Sequence, residues 1–437
     1  MSWLNFFETK SDLKHQFGRG INANLSENEE NLFNKSNEAF EDKQILNAYE
    51  YFFKSIENFS NNVSNKNVMT IKDGNRLNFE IFQGTARITG YITEEYLYAE
   101  AILTKKSSAH VALKRYLLER NYQLTYAYYF NDDEYIKLKL FHDNITMNPQ
   151  KIFFPLRELA LNADFDKEYT NCEFSDVTIE DIGHLKSINT DELKIKYDFL
   201  QKWINELTEK ISTFPSNDNA GMQSFTLLYF LYKIDYLIVP KYNMYQKISK
   251  KIQEYFSDEN SAVEAKNEEL VEYIDTLKDM SFNEFSAQFY DAKYTFNPSE
   301  KTSHEEIGIF ISESLTKIRW YKNNRYNQII PIIYKYIGLY LLYNFGLNPV
   351  TKGLLHTLVE IQNQEFFSAL DYNVLYDVEN DSFSKRAIIT KIEDIISPHQ
   401  TRFKLLKPFG DKLNFTSLNE FSNSFYLQLN NLNFEEI

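Results

Sequence analysis

Residues 76–105 read RLNFEIFQGTARITGYITEEYLYAEAILTK, and their alternating pattern predicts an antiparallel sheet. Leu77, Phe79 and Ile81 alternate with polar residues, which is the period of two expected of a strand with one covered face. Gly84 permits the tight turn into a second strand. The apolar residues of a third strand again share one face: Leu97, Ala99, Ala101 and Leu103. Short turns without a crossover helix predict an antiparallel meander of three strands.

The residues around this meander complete a small module. Helical residues 27–60 lead into it, and we expect Ser107 or Ser108 to cap the helix that follows it. An alternating run over 122–130 predicts a fourth strand, and an acidic turn leads into a fifth. Asn-Pro at 148–149 begins a last helix, which we expect to kink or restart at Pro155. The predicted order is therefore α-βββ-α-ββ-α.

Three segments carry a resemblance to a known family: residues 116–121 (YLLERN), 124–130 (LTYAYYF) and 135–140 (YIKLKL). Together with the helix over 153–169, they resemble the YbjN-like family, whose members share the fold of type III secretion chaperones. The resemblance covers residues 31–169 and depends on element order and apolar positions, not on an invariant motif. It implies a chaperone-like, protein-binding module and supplies no catalytic residues. Another small α+β sheet domain is the alternative interpretation.

The chain divides into a sheet module and a helical domain, so the predicted fold class is α+β. We expect a tail over 1–25, a secretion-chaperone-like domain over 26–170, a linker over 171–190 and a helical domain over 191–437. The apolar pattern weakens in the linker. Beyond it, apolar residues recur every three or four positions, as is typical of amphipathic helices. No fixed repeat period emerges, which favours an irregular helical arrangement.

Composition narrows the classes of partner and compartment. The 437 residues carry a formal net charge of −15, and an acidic surface repels phosphate backbones, so we expect no nucleic-acid partner. Cys172 is the only cysteine, which rules out an internal disulfide and does not indicate an oxidising compartment. Residues 1–24 lack a basic region followed by an apolar run, so we predict no signal peptide. These features favour a cytoplasmic protein of bacterial type.

The most apolar run, residues 329–347, is just long enough to span a bilayer. However, Lys335 lies at its centre, Pro331 and Asn344 interrupt it, and its tyrosines are spread along it instead of gathered at its ends. We interpret it as a buried central helix and expect no membrane span.

The sequence contains no recognisable catalytic motif, so we predict no catalytic residue, no metal site and no cofactor. It has no His-Glu-x-x-His pattern, no phosphate-binding glycine loop and no Gly-x-Ser-x-Gly turn. The acidic residues 132–134 suit a hairpin turn. The spaced carboxylates over 377–381 lack the glycine of a calcium loop. A lone cysteine without a nearby histidine is typical of an inert thiol.

Two aromatic clusters are candidate partner-binding surfaces. Four tyrosines are predicted to face outward from the sheet: Tyr96, Tyr98, Tyr126 and Tyr128. Arg319 and Trp320 belong to a basic and aromatic patch that could stack single-stranded nucleic acid. Against the acidic background, a protein-binding rim fits that patch better. Tyrosine is enriched at protein interfaces, although an aromatic-rich core accounts for most of the 36 Phe and 31 Tyr.

The first functional hypothesis is a non-enzymatic, chaperone-like or adaptor protein. It holds a partner protein by strand addition to its sheet or in an aromatic groove. The helical domain then supplies a second surface or a homo-oligomer contact.

The competing hypothesis is a hydrolase or toxin-like effector with a site in the helical domain. His356, Glu360 and Glu365 are its candidate residues, and the first two lie four positions apart on one helix face. A deep pocket joining His356 to buried carboxylates favours the enzyme. An open, tyrosine-lined sheet surface favours the binding protein.

Overall fold

A computed structural model of the protein describes residues 15–19, 23, 25–57, 66–215 and 219–436. The predicted α+β class is confirmed, because an antiparallel sheet of six strands with flanking helices is followed by a mainly helical region. Most of the predicted tail, residues 1–25, lies outside the described residues.

The sheet contains six strands, and in most of them buried and more exposed residues alternate. They are β1 (Val68–Asp73), β2 (Arg76–Gln83), β3 (Ala86–Ile92), β4 (Tyr96–Lys105), β5 (Tyr128–Asn131) and β6 (Tyr135–Asp143). They are hydrogen-bonded in the order β1-β2-β3-β4-β6-β5, and every neighbouring pair is antiparallel. In β4 the four residues predicted to share a face, Leu97, Ala99, Ala101 and Leu103, are all buried.

Four helices accompany the sheet: α1 (Glu27–Glu41), α2 (Ile45–Ser55), α3 (Val111–Gln123) and α4 (Pro149–Glu173). Ser26 and Glu29 form a capping box that begins α1. Apolar side chains of the helices and strands form one core, in which Phe52 and Phe53 are completely buried. Burial of each such ring contributes about 2 kcal/mol to stability. We call the covered side of the sheet the inner face and the opposite side the outer face.

Four strands precede α3 where three were predicted, and the additional strand is β1. Only Val68 is buried, and the other five residues are exposed, so no apolar alternation marks it in the sequence. It is paired with β2 from Val68 opposite Ile81 to Asp73 opposite Arg76. Backbone pairing, and not a buried apolar face, therefore makes this segment a strand.

The strand predicted over 122–130 is shorter than expected, because α3 continues to Gln123 and β5 begins at Tyr128. The intervening N–H groups of Thr125, Tyr126 and Ala127 donate to the carboxylate of Glu158 on α4, at 2.7 to 3.2 Å. These three N–H groups are therefore not available for hydrogen bonds to a neighbouring strand. α4 also continues through Pro155 as one helix of 25 residues.

The C-terminal region contains eleven α-helices among its described residues, with a short hairpin of β7 (Tyr376–Asp377) and β8 (Ser382–Phe383). The helices are α5 (Thr190–Ser212), α6 (Ala220–Lys233), α7 (Tyr242–Ser257), α8 (Val263–Lys278), α9 (Phe282–Ser286), α10 (His304–Asn323), α11 (Ile330–Asn344), α12 (Pro349–Gln362), α13 (Gln364–Ala369), α14 (Lys385–Ile396) and α15 (Leu418–Asn430). The apolar run 329–347 contains the whole of α11, which is largely buried. No described helix combines the length and apolar character needed to cross a bilayer.

A segment near residue 295 joins the helical region to the sheet module. The amide of Gln83 accepts hydrogen bonds from the N–H groups of Thr295 and Phe296, at 3.0 and 2.9 Å. Phe296 is buried in the core of the sheet module. Within the predicted linker, Lys186 forms a β-bridge with Asp291. The domain boundaries themselves stay a prediction.

Candidate functional site

A row of mainly apolar and aromatic side chains crosses the outer face of the sheet. Residues opposite each other on antiparallel strands are close neighbours. The observed pairing therefore aligns Ile71, Asn78, Tyr91, Tyr98 and Phe141 across β1, β2, β3, β4 and β6. The rings of Tyr91 and Tyr98 stack with centroids 5.3 Å apart. We call Ile71, Tyr91, Tyr98 and Phe141 the cross-strand row.

Two further predicted tyrosines lie beside this row. The Tyr96 ring is 5.3 Å from Phe141 and 5.8 Å from Tyr91. Tyr128, on the sheet edge, pairs with Lys139 of β6. Three of the four predicted tyrosines, Tyr96, Tyr98 and Tyr128, thus lie on the outer face.

Cations lie over several rings of this face. The Arg76 guanidinium is 3.5 Å from the centroid of Tyr91, and the Lys139 ammonium is 4.9 Å from that of Tyr98. Such contacts contribute about 0.5–1 kcal/mol at exposed sites. Tyr98 also donates to Glu100 at 2.5 Å, and burial raises the pKa of its phenol. The rings are therefore held in defined positions before any partner arrives.

The row is open to solvent at its two ends. Ile71 is 70% exposed and Phe141 is 53% exposed, while Tyr91 and Tyr98 are half-buried. Farther along the outer face, Asp181 pairs with Arg87 and His184 packs on Phe82. One part of the outer face is thus covered by the chain itself, and the cross-strand row is not. Exposed apolar and aromatic side chains that gather on one face are typical of interaction sites.

The edge strand β1 extends this surface. Its two exposed apolar residues, Met69 and Ile71, lie on the outer face beside Glu80 and Asn78. Among the described strands, β1 pairs only with β2. An exposed edge that carries apolar side chains offers backbone groups for pairing with another chain.

Tyr126 lies away from the other predicted tyrosines. It precedes β5, its backbone is held by Glu158, and its side chain lines a cavity beside α4. The alternation of residues over 122–130 predicted that Tyr126 faces outward from a strand, but the hydrogen bond to Glu158 keeps Tyr126 out of that strand.

The basic and aromatic patch lies on α10, in the helical region. Trp320 is 56% exposed and stacks on Tyr326, with centroids 6.2 Å apart and planes at 20°. Arg319 is exposed next to it. Both residues are therefore accessible, and they belong to a different element from the cross-strand row.

The three residues of the hydrolase hypothesis each contact a different partner. His356 is buried against Phe17, and its Nδ1 is 2.9 Å from the hydroxyl of Tyr236. Burial, followed by the charges of Lys391 and Lys352, lowers the pKa of His356 to about 3.

Glu360 pairs with Lys391, and Glu365 pairs with Lys202 at the surface. A cavity of about 800 Å³ adjoins Glu360, but His356 is not among its lining residues. Among the described residues, no hydrogen bond or ion pair joins these three side chains to one another.

Cys172 and the acidic turn are the remaining candidates for thiol and metal chemistry. Burial raises the pKa of Cys172 to about 12, which keeps the thiol protonated at neutral pH. In the acidic turn, a hydrogen bond from Lys137 and N–H groups of the turn lower the pKa of Asp132 to about 2. No group of three or more His, Cys, Asp or Glu side chains in the described ranges is arranged to hold a metal ion.

No model of a known protein family matches the chain, and no curated protein matches it.

Some residues of the outer face were not singled out from the sequence. Tyr91 and Phe141 each lie opposite the predicted Tyr98 on a neighbouring strand. The alternation of residues along their own strands therefore already indicated that both face outward. Ile71 gave no such signal, because β1 itself was not predicted.

Proposed function

We propose that this protein holds a partner protein on the outer face of its sheet. The observation that carries the proposal is the cross-strand row, whose aromatic rings are pre-positioned by stacking and by cations and whose ends are open to solvent. Aromatic side chains lose little conformational freedom on binding and contribute large contact areas, which is why they dominate protein interfaces. The resemblance to the YbjN-like family and to secretion chaperones supports the same function.

The partner that suits this surface is an extended segment with apolar side chains. Such a segment can pair with the free edge of β1 and place alternate side chains beside Met69 and Ile71. Main-chain hydrogen bonds then supply affinity, and the rings of the row supply specificity. We also propose that the protein acts in the cytoplasm without nucleic acid. The exposed Arg319 and Trp320 would then serve as a second partner or homo-oligomer contact.

Affinity purification from the native host tests this proposal with two matched variants. The first, Ile71→Ala with Phe141→Ala, removes both exposed ends of the row. The control, Leu118→Ala with Tyr122→Ala, removes one aliphatic and one aromatic side chain of similar exposure from α3. All four residues are exposed, so both variants should fold.

The wild-type chain and the α3 variant should recover the same partner polypeptide, and the row variant should recover at least tenfold less. Recovery of no polypeptide by the wild-type chain, or equal recovery by both variants, would refute the proposal.

A further inference from the structure

Residues 15–19 lie on the helical region in the manner of a bound peptide, and we call them the docked segment. Phe17 is buried, and its ring centroid lies 4.9 Å from that of Phe367. The backbone N–H of Gly18 donates to the carbonyl of Tyr236 at 2.8 Å. An aromatic anchor and a main-chain hydrogen bond thus hold the middle of the segment.

Arg19 provides a second anchor. Its Nε donates to Asp235 at 2.7 Å, and its Nη2 donates to the carbonyl of Pro240. The guanidinium carbon also lies 3.4 Å from the ring centroid of Tyr245. Asp235 is only 4% exposed, and a buried carboxylate without a cation is strongly unfavourable. The carboxylate, the carbonyl and the ring therefore form a pocket that suits a guanidinium group.

Glycine is required between the two anchors. Gly18 has a φ of +64°, a left-handed conformation that residues with a side chain rarely adopt. A Cβ at this position would lie 2.9 Å from the ring of Tyr236. The surface under the docked segment, which we call the cleft, therefore selects an aromatic residue, a glycine and an arginine in succession.

The cleft is built on a strained turn. A short π-helix, Ile234–Ile238, follows α6, and Val239 after it has a φ of +57°. A branched side chain disfavours this left-handed conformation, and both strained residues and π-helices are enriched at functional sites. The π-helix supplies Asp235 and Tyr236, two of the residues that bind the docked segment. The strain therefore lies where the cleft contacts the segment directly.

We propose that the cleft is a second binding site for a partner protein and that the docked segment occupies it as an internal pseudo-ligand. The partner presents an aromatic residue, a glycine and an arginine in an extended segment, and this segment displaces residues 15–19. Charge supports this class of partner, because the buried carboxylate of Asp235 needs a cation when the docked segment leaves. An acidic partner segment would be repelled by the same carboxylate. The cleft lies in the helical region, so this site is separate from the cross-strand row.

Isothermal titration calorimetry of the full chain with a synthetic peptide tests the proposal. The probe is the pentapeptide of residues 15–19, His-Gln-Phe-Gly-Arg, acetylated and amidated. The double variant Phe17→Ala with Arg19→Ala removes both anchors and leaves the cleft unchanged. It should bind the peptide at least tenfold more tightly than the wild-type chain, in which the docked segment competes. Equal affinity of the two chains, or no binding by the double variant, would overturn the proposal.

Gly18→Ala releases the docked segment by a milder change, because the added methyl group meets the ring of Tyr236. This variant should bind the peptide at least threefold more tightly than the wild-type chain. Circular dichroism checks that each variant is folded. If the double variant does not fold, Gly18→Ala decides in its place, and an affinity equal to that of the wild-type chain would refute the proposal.

Changes in the peptide and in the cleft locate the site. Peptides with Phe17→Ala or Arg19→Gln should each bind the double variant at least tenfold more weakly. Asp235→Asn, added to the double variant, should weaken binding of the unchanged peptide by a similar factor. Ile71→Ala with Phe141→Ala, added instead, should leave it unchanged, so failure here is distinct from failure of the proposed function. Full affinity after Asp235→Asn would place the peptide elsewhere and contradict the assignment.

A second copy of this chain is the other possible source of the segment. Size-exclusion chromatography with light scattering distinguishes it, and we expect the wild-type chain and the double variant to have the same oligomeric state. A wild-type dimer that becomes a monomer in the double variant would show that two copies exchange the segment, and it would overturn the assignment of an internal pseudo-ligand.

Discussion

Replacement of Asp166 by alanine should lower the free energy of local opening where α3 and β5 pack against α4. Asp166 is completely buried and accepts the hydroxyls of Tyr116 and Tyr129 at 2.5 and 2.7 Å and the Nε of Arg120 at 3.0 Å. Two hydrogen bonds to a charged acceptor contribute about 3 kcal/mol together, and breaking a buried ion pair costs about 3–5 kcal/mol. Arg120 retains Asn162 as an acceptor, so we take the lower value, about 3 kcal/mol.

Native-state hydrogen exchange of the amides in α3 and β5 measures this loss, because it reports the free energy of local opening. A loss of about 3 kcal/mol accelerates exchange roughly a hundredfold. Asp176→Ala is the control, since that carboxylate is exposed and pairs only with His110 at 3.5 Å, and its rates should stay within about twofold of wild type. An acceleration below about fivefold in Asp166→Ala would show that the buried network does not hold this part of the module.

Three further changes test other parts of the structure. Gly90→Ala places a methyl group 2.4 Å from the ring of Phe79 and should destabilise the sheet by about 2 kcal/mol. Gly183→Ala adds a methyl group in open space and should leave the stability unchanged. Thermal unfolding of the two variants measures this difference. Cys172 should react with iodoacetamide slowly at pH 7.4 and rapidly in urea; equal rates would contradict its raised pKa. Burial lowers the pKa of His356 to about 3, so its side chain stays neutral in the folded protein. In the unfolded chain the same side chain gains a proton as the pH falls below 6.5. The stability of the folded protein therefore decreases as the pH falls from 6.5 towards 3. His356→Leu should recover about 2 kcal/mol relative to wild type between pH 7 and pH 5, measured by urea unfolding.

The fold class was predictable because local patterns and tertiary structure agree over most of the sheet. Leu97 to Leu103 alternate in the sequence and in the structure. β1 was not predictable from alternation, since its exposed residues are recruited by pairing with β2. The late start of β5 was equally hidden, because the carboxylate of Glu158 comes from a helix about thirty residues away.

The outer-face residues were partly predictable for the same reason. A period of two assigns Tyr96 and Tyr98 to one face whatever the tertiary structure does. The cavity beside α4 carried no such signal. Its lining residues Tyr126 and Tyr245 are far apart in the sequence, and only the packing of the helical region against α4 brings them together.

Site-specific photocrosslinking tests whether a partner polypeptide binds to the outer face of the sheet. Benzoylphenylalanine at position 141 places a photoreactive ketone in the cross-strand row, and the same residue at position 122 places it on the exposed surface of α3. We predict one discrete crosslinked polypeptide from position 141 in native-host cells and none from position 122. No adduct from position 141, or the same adduct from both positions, would contradict partner binding on the outer face of the sheet.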